Sequence, residues 1–188
     1  MRVIDTEIFE VKIIEPIVHL DDRGYFCETF KDNEFCENIC NTIFIQDNES
    51  KSSYGVLRGL HYQLPPFSQS KLVRVIYGKV LDITVDIREG SPTFGKHVSV
   101  ELSDENKRQL FIPRGFAHGY VVLSNKAILN YKVDNYYTPE CEGSVYFNDQ
   151  LLNIDWKVKL EEIILSSKDK DAPLLANAKL FDYNQKLY

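Results

Sequence analysis

The 188-residue chain contains a single methionine and no long apolar run. Nothing approaches the roughly 20 consecutive apolar residues that a membrane-spanning helix requires. The first residues, MRVIDTEIF, carry an acid at position 5 and lack the apolar core of a signal peptide, so a cytoplasmic chain without membrane association is expected. Basic residues are also in short supply: 22 Lys and Arg stand against 28 Asp and Glu, a formal charge of −6. With no Lys/Arg block, the chain lacks the electrostatic footprint of a nucleic-acid binder, although a few local arginines can still hold a small anion. The four cysteines, Cys27, Cys36, Cys40 and Cys141, form no C-x-x-C pair and read as free thiols of a reducing compartment. Cys36 and Cys40 have the spacing of one face of a short helix. Internal repeats and low-complexity segments are absent.

Aromatic residues, by contrast, are plentiful, with 11 Tyr and 11 Phe, a balance that favours β-structure over a helix bundle. The length suits one domain spanning 1–188, with 174–188 as a short helix and an exposed C-terminal tail. One or two strands are expected between Val3 and Pro16, and a Gly-containing turn at Asp21–Gly24 leads into an aromatic strand. A helix follows over Lys31–Cys40, with Asp32 or Asn33 available as its cap. Thr42–Gln46 reads as a short strand, and Asp47–Ser50 as the start of a polar loop. Alternating runs at Val80–Ile87, His97–Leu102, Arg108–Pro113, Tyr120–Leu123 and Ala127–Val133, separated by turn residues, point to an antiparallel sandwich or barrel.

Two stretches carry the chemistry. Val56–Gly78 (VLRGLHYQLPPFSQSKLVRVIYG) is an alternating run, a Pro-Pro loop and a second run, projecting Arg58, His61 and Lys71 from two neighbouring strands. Ile112–Gly119 (IPRGFAHG) is placed to face it. Pro113, Gly115 and His118 complete the Pro-x-Gly-x-x-His pattern of the cupins, double-sheet jelly-roll barrels, so the fold expected is mainly β, a cupin-like jelly-roll barrel with a few short helices. The other cupin pattern is broken. His61 is present, Gln63 replaces the second histidine, and no Glu follows before Gly78. An amide and a nearby ammonium weaken a divalent-metal site, so no metal is expected.

A histidine can abstract a proton near neutral pH when a carboxylate orients it, and a lysine can stabilise the oxyanion that develops. Tyr131 could supply a proton from elsewhere in the barrel. Singly, His61 could be a packed imidazole, Lys71 an edge charge and Tyr131 a core tyrosine on the face of Leu129 and Val133; Arg23 and Glu28 could be ordinary surface charges at a turn.

The segments DDRGYFCE from Asp21, QDN from Gln46, GVLRGLHYQLPP from Gly55, KLVRVIYGKVLDITVDIREGSPTFG from Lys71, SDENKRQLFIPRGFAHGYVVLS from Ser103, YKVDNYYTPECEG from Tyr131, FNDQLLNIDW from Phe147 and SSKDKDAPLL from Ser166 resemble, in order and over nearly the full chain, the dTDP-4-dehydrorhamnose 3,5-epimerase family. The resemblance implies a homodimeric jelly roll, free of metal and organic cofactor, that inverts C3 and C5 of a dTDP-4-keto-6-deoxy sugar on the way to dTDP-L-rhamnose. It implies His61 as base, Asp169 as its orienting carboxylate, Lys71 as enolate stabiliser and Tyr131 as proton donor. It places Arg23, Glu28, Gln46, Asp47, Asn48, Arg58, His118, Glu142 and Lys168 at substrate contacts, with Arg23 and Glu28 serving the partner subunit's pocket. Arg114 stands where the family often has an acid, and Asn130 where an apolar residue is common. The other readings are a 3- or 5-monoepimerase on a related nucleotide sugar, a metal-dependent cupin oxygenase and a non-catalytic sugar-binding barrel.

Overall fold

A computed structural model describes all 188 residues. In chain order the strands are β1 (Arg2–Asp5), β2 (Lys12–Glu15), β3 (Val18–Asp21) and β4 (Gly24–Cys27), followed by helix α1 (Asp32–Asn38). Next come β5 (Gln46–Ser53), β6 (Leu57–Gln63), β7 (Lys71–Tyr77), β8 (Lys79–Asp86), β9 (Arg88–Glu89), β10 (His97–Ser103), β11 (Gln109–Ile112), β12 (Phe116–Val122) and β13 (Lys126–Val133). The chain ends with β14 (Glu142–Ser144), a single-turn helix α2 (Ser167–Lys170) and β15 (Phe181–Asp182). This is the mainly β, cupin-like architecture that the alternation and the Pro-x-Gly-x-x-His pattern lead one to expect.

Two antiparallel sheets face each other. One has the order β1-β2-β11-β7-β13-β5, the other β10-β8-β12-β6-β14. Val73, Val75, Leu110, Ile112 and Leu129 from the first sheet meet Val98, Val100, Leu102, Tyr120 and Val122 from the second in the core between them. The second sheet is buried on its other face as well. Leu81, Ile83, Val85 and Ile87 pack there under Val145, Phe147, Trp156, Leu175 and Phe181 of the irregular C-terminal segment. That double burial leaves the polar members of the β8 alternation, Asp82, Thr84 and Asp86, buried as well.

Four local expectations are corrected. β6 and β7 lie in opposite sheets, joined by the Pro65-Pro66 loop, so their side chains face each other across the barrel. β12 is instead the neighbour of β6 in the same sheet. Helix α1 has Lys31 at its N-cap with no side-chain cap bond; Asp32 and Glu34 in its first turn complement the helix dipole. The strand read at Thr42–Gln46 begins only at Gln46 and runs to Ser53, because the polar QDNESKSS pairs along its length with β13 at the sheet edge.

The 174–188 segment is largely exposed, as expected, but it is held to the barrel at several points. Leu175 sits in a 3-10 turn and is buried, and Phe181 is 1% exposed. β15 pairs in parallel with β9, and the Tyr188 hydroxyl bonds Ser70 Oγ at 2.6 Å. Burying a side chain the size of Phe181 contributes about 2–3 kcal/mol towards holding this 15-residue strap against the barrel.

Candidate active site

Ordinary alternation would send Arg58 and His61, three residues apart, to opposite faces of β6. Pairing with β12 prevents this: His118 lies opposite His61 and Tyr120 opposite Arg58, so Gly59 and Leu60 together face Gly119 alone. Such a bulge re-aims side chains, and here it turns both Arg58 and His61 into one cavity. Gly59 has φ +139, and a Cβ there would lie 2.4 Å from Gly119 Cα, so the bulge requires glycine.

His61 Nε2 lies 2.5 Å from Asp169 Oδ1. Asp169 is 3% exposed and sits in α2, where Ser166 caps the turn by accepting from the Asp169 N–H at 3.1 Å. The same Ser166 hydroxyl donates to Asp169 Oδ2 at 2.7 Å. Burial pushes the Asp169 carboxyl up, but the hydrogen bonds from His61 and Ser166 outweigh it and hold the group below its ordinary range. An ionised carboxylate thus fixes the imidazole proton on Nε2 and leaves Nδ1 with its lone pair.

Lys71 enters from the opposite sheet, its ammonium 3.4 Å from the His61 carbonyl oxygen. Burial lowers its pKa to about 8, against the opposing pull of Asp82 and Glu142. Asp82, wholly buried on β8, holds His118 Nε2 at 2.9 Å from both carboxylate oxygens. Burial is the main influence on His118 and lowers its pKa despite Asp82, so the imidazole is neutral at pH 7 and donates Nε2–H to the carboxylate.

His61, Asp169, Ser166, Lys71 and His118 line a cavity of about 450 Å³ together with Ser50, Arg58, Tyr120, Tyr131 and Lys168. Burial, with Tyr120 nearby, raises the Tyr131 phenol pKa. An adjoining cavity of about 280 Å³ shares His61, Lys71 and Tyr131 and adds Gln46, Asn48, Tyr137 and Glu142. Glu142 pairs with Lys168 and accepts from the Tyr137 hydroxyl at 2.9 Å. A base with its orienting carboxylate, an ammonium and a phenol around one space can remove a proton beside a carbonyl, hold the resulting oxyanion and return a proton.

Three residues expected at the site are not brought there. Asp47 lies on the opposite face of β5 from Gln46 and Asn48, where alternation points it to Lys132 Nζ at 2.7 Å. Arg23 sits in the β3–β4 turn, its side chain 89% exposed and bonded to Asp21. Glu28 lines a separate small cavity with His19 and Lys31. The β3–β4 hairpin leaves large apolar side chains uncovered, with Leu20 81% and Phe26 66% exposed.

Sequence reading passed over Asp82, Ser50, Tyr120 and Ser166. Asp82 left little signal, since it stands at a polar position of an alternating strand together with Thr84 and Asp86. Ser50 left none, because the β5 segment resembled a loop. Gln63, read as a lost metal ligand, is engaged in structure: its amide donates to the carbonyls of Phe67 at 2.7 Å and Tyr136 at 3.1 Å and accepts the Thr138 N–H at 2.6 Å. No three His, Cys, Asp or Glu side chains converge as a metal-ligand group.

Residues 5–177 match a family model described as dTDP-4-dehydrorhamnose 3,5-epimerase. The chain is 50% identical over 182 residues to the enzyme of that name from Shigella flexneri, covering 96% of this chain and 99% of the relative. It is 52% identical over 182 residues to the one from Salmonella typhimurium, covering 96% and 98%. A crystal structure of dTDP-6-deoxy-D-glucose-3,5-epimerase from Legionella pneumophila, in complex with dTDP-4-keto-L-rhamnose, superposes with a TM-score of 0.94 at 49% identity, covering 98% of this chain and 99% of that one.

Proposed function

The chain belongs to the dTDP-4-dehydrorhamnose 3,5-epimerase family, and on that premise we propose how its own residues work on the substrate. It is an isomerase that inverts C3 and C5 of dTDP-4-keto-6-deoxy-D-glucose to give dTDP-4-keto-L-rhamnose, a step in dTDP-L-rhamnose biosynthesis. The observation that carries the mechanism is the His61–Asp169 contact at 2.5 Å on the wall of a cavity that also holds Lys71 and Tyr131.

A C–H beside the 4-keto group becomes acidic only if the enolate is stabilised. His61 Nδ1 takes the proton while Asp169 balances the imidazolium that forms. The Lys71 ammonium, kept charged by the pull of buried Asp82, stabilises the oxygen that gains charge. Tyr131 delivers a proton to the other ring face, and the sequence of steps is repeated at the second carbon. Both carbons flank one carbonyl, so one oxyanion site can serve both.

Arg58 and Lys168 at the cavity wall offer cationic donors to the diphosphate, and a guanidinium can engage phosphate oxygens in pairs. Gln46, Asn48 and Glu142 in the adjoining cavity offer hydrogen bonds to the rest of the nucleotide. Arg23 and Glu28 complete the pocket of a second subunit in a cytoplasmic homodimer. The exposed apolar Leu20 and Phe26 on the same hairpin support that role. No metal takes part, since Gln63 is committed to backbone groups.

The test is proton NMR of the purified protein with dTDP-4-keto-6-deoxyglucose in D2O. Deuterium is expected at C3 and C5 of the sugar, with inversion at both. Exchange confined to one carbon would make the protein a monoepimerase, and no exchange would make it a binding barrel.

A further inference from the structure

The proposed reaction sets a demand that Tyr131 alone does not meet. Two carbons are inverted in one residence of the sugar, and each inversion consumes a proton from the phenol. Between the two events Tyr131 is a phenolate in a cavity filled by substrate, so a proton must reach it through the protein.

Four hydroxyl groups line the 450 Å³ cavity: Ser50, Tyr120, Tyr131 and Ser166. Ser166 is committed to Asp169. Ser50 Oγ and Tyr120 Oη are bonded to each other at 2.9 Å, joining the edge strand of one sheet to β12 of the other. Tyr131 on β13 lies opposite Asn48 of β5, and Leu129 lies opposite Ser50. Ser50 is therefore the diagonal neighbour of Tyr131 on the same sheet face, about 7–8 Å away between backbones and within reach of long aromatic side chains. Tyr120 is 5% exposed, whereas Ser50 is only half-buried on its edge strand, so the pair runs from the protein interior towards solvent. Tyr120 also helps to raise the proton affinity of the Tyr131 phenol, consistent with two phenols in one enclosed space.

Building on the reading that this chain inverts both carbons, we infer that Ser50 and Tyr120 form the relay that reprotonates Tyr131 between the two inversions. Tyr131 O–H breaks as the new C–H bond forms. The Tyr131 phenolate then takes the proton of Tyr120, which takes that of Ser50 in the same concerted movement, and Ser50 is refilled from water. One solvent proton enters per inversion, His61 releases the one it abstracted, and no electrons are exchanged. Tyr120 and Ser50 act through Tyr131 and determine how completely the sugar is processed before it leaves.

The experiment uses Tyr120→Phe and Ser50→Ala with dTDP-4-keto-6-deoxyglucose in D2O, reading deuterium position and product configuration in single and multiple turnovers. The first inversion should survive in a single turnover in both variants. The second should slow by about tenfold or more, the scale of a lost proton-transfer partner, so that singly inverted sugar accumulates. A structural role alone would lower both inversions together and leave the product ratio unchanged. An unchanged ratio in both variants, beside a wild type that inverts both carbons, overturns the relay alone. Ser50→Ala removes only a hydroxyl from a half-buried edge position, so it decides the matter even where Tyr120→Phe misfolds. A wild type that inverts one carbon only would overturn the parent reading, and the relay with it.

Discussion

Asp169 and His61 are 108 residues apart in sequence and 2.5 Å apart in space. A one-turn helix at the C-terminal side of the barrel thus supplies half of a base whose other half lies on a central strand. His61→Ala should abolish deuterium exchange at both C3 and C5. Asp169→Asn should slow exchange by about 10²–10⁴, the usual worth of positioned acid–base catalysis. Ser166→Ala should lose about 1 kcal/mol of stability with the helix cap and also slow exchange, since the same hydroxyl steadies Asp169. Exchange at the normal rate in His61→Ala would remove the histidine from the mechanism.

Lys71 gives the alkaline side of the pH profile. Its folded pKa, about 8, lies below that of an unfolded lysine, so the charged form is disfavoured by folding. Activity should therefore fall with an apparent pKa near 8 as the ammonium is lost. Stability should move the other way: the unfolded chain binds more protons between about pH 8 and 10, so unfolding free energy rises across that window. At pH 7 the full penalty is present, and solvent in the cavity reduces it to about 1–2 kcal/mol. Lys71→Met should raise Tm by a few degrees while removing nearly all epimerisation. A Tm below that of the wild type would show that Lys71 is a stabilising group.

Tyr131→Phe should separate exchange from inversion. His61 and Lys71 still form the enolate, which is then reprotonated mostly from the original face. Deuterium should enter the substrate while the yield of inverted sugar drops by about 10²-fold or more. Both quantities must be read on one sample. Inversion at the normal rate would move the donor role to Tyr137 or to solvent.

Exhaustive chelation should leave epimerisation unchanged, because Gln63 spends its amide on the backbone of the 64–70 loop and of Tyr136 and Thr138. Elemental analysis of active protein should find no stoichiometric metal. Activity that returns only on adding a divalent ion would overturn this.

Much of the fold was legible from sequence because its causes are local. Alternation in β8, β10 and β13 reflects the period-2 geometry of a strand, and the turn residues between them mark where each strand ends. The four residues proposed for the chemistry, His61, Lys71, Tyr131 and Asp169, were named chiefly through their resemblance to a family, and the fold brings them to one cavity. Spacing alone left each with an ordinary structural explanation.

Tertiary structure decided the rest, for physical reasons that no local pattern carries. QDNESKSS looks like a loop because its inward face borders a wet cavity instead of an apolar core, so Gln46, Asn48 and Ser50 sit where a buried strand would have Val or Ile. Residues 174–188 look like a tail, yet Phe181 is buried beside β9 and the Tyr188 hydroxyl bonds Ser70, contacts with residues about a hundred positions earlier. Arg58 and His61 share a face only because Gly119 of another strand forces a bulge opposite Gly59. Composition and periodicity determined that this chain would be an antiparallel β sandwich or barrel with no helix long and apolar enough to cross a membrane. Which polar groups meet inside it depended on cross-strand register and on the long-range closure of the barrel, because the energies that settle those contacts belong to pairs of segments far apart in the chain.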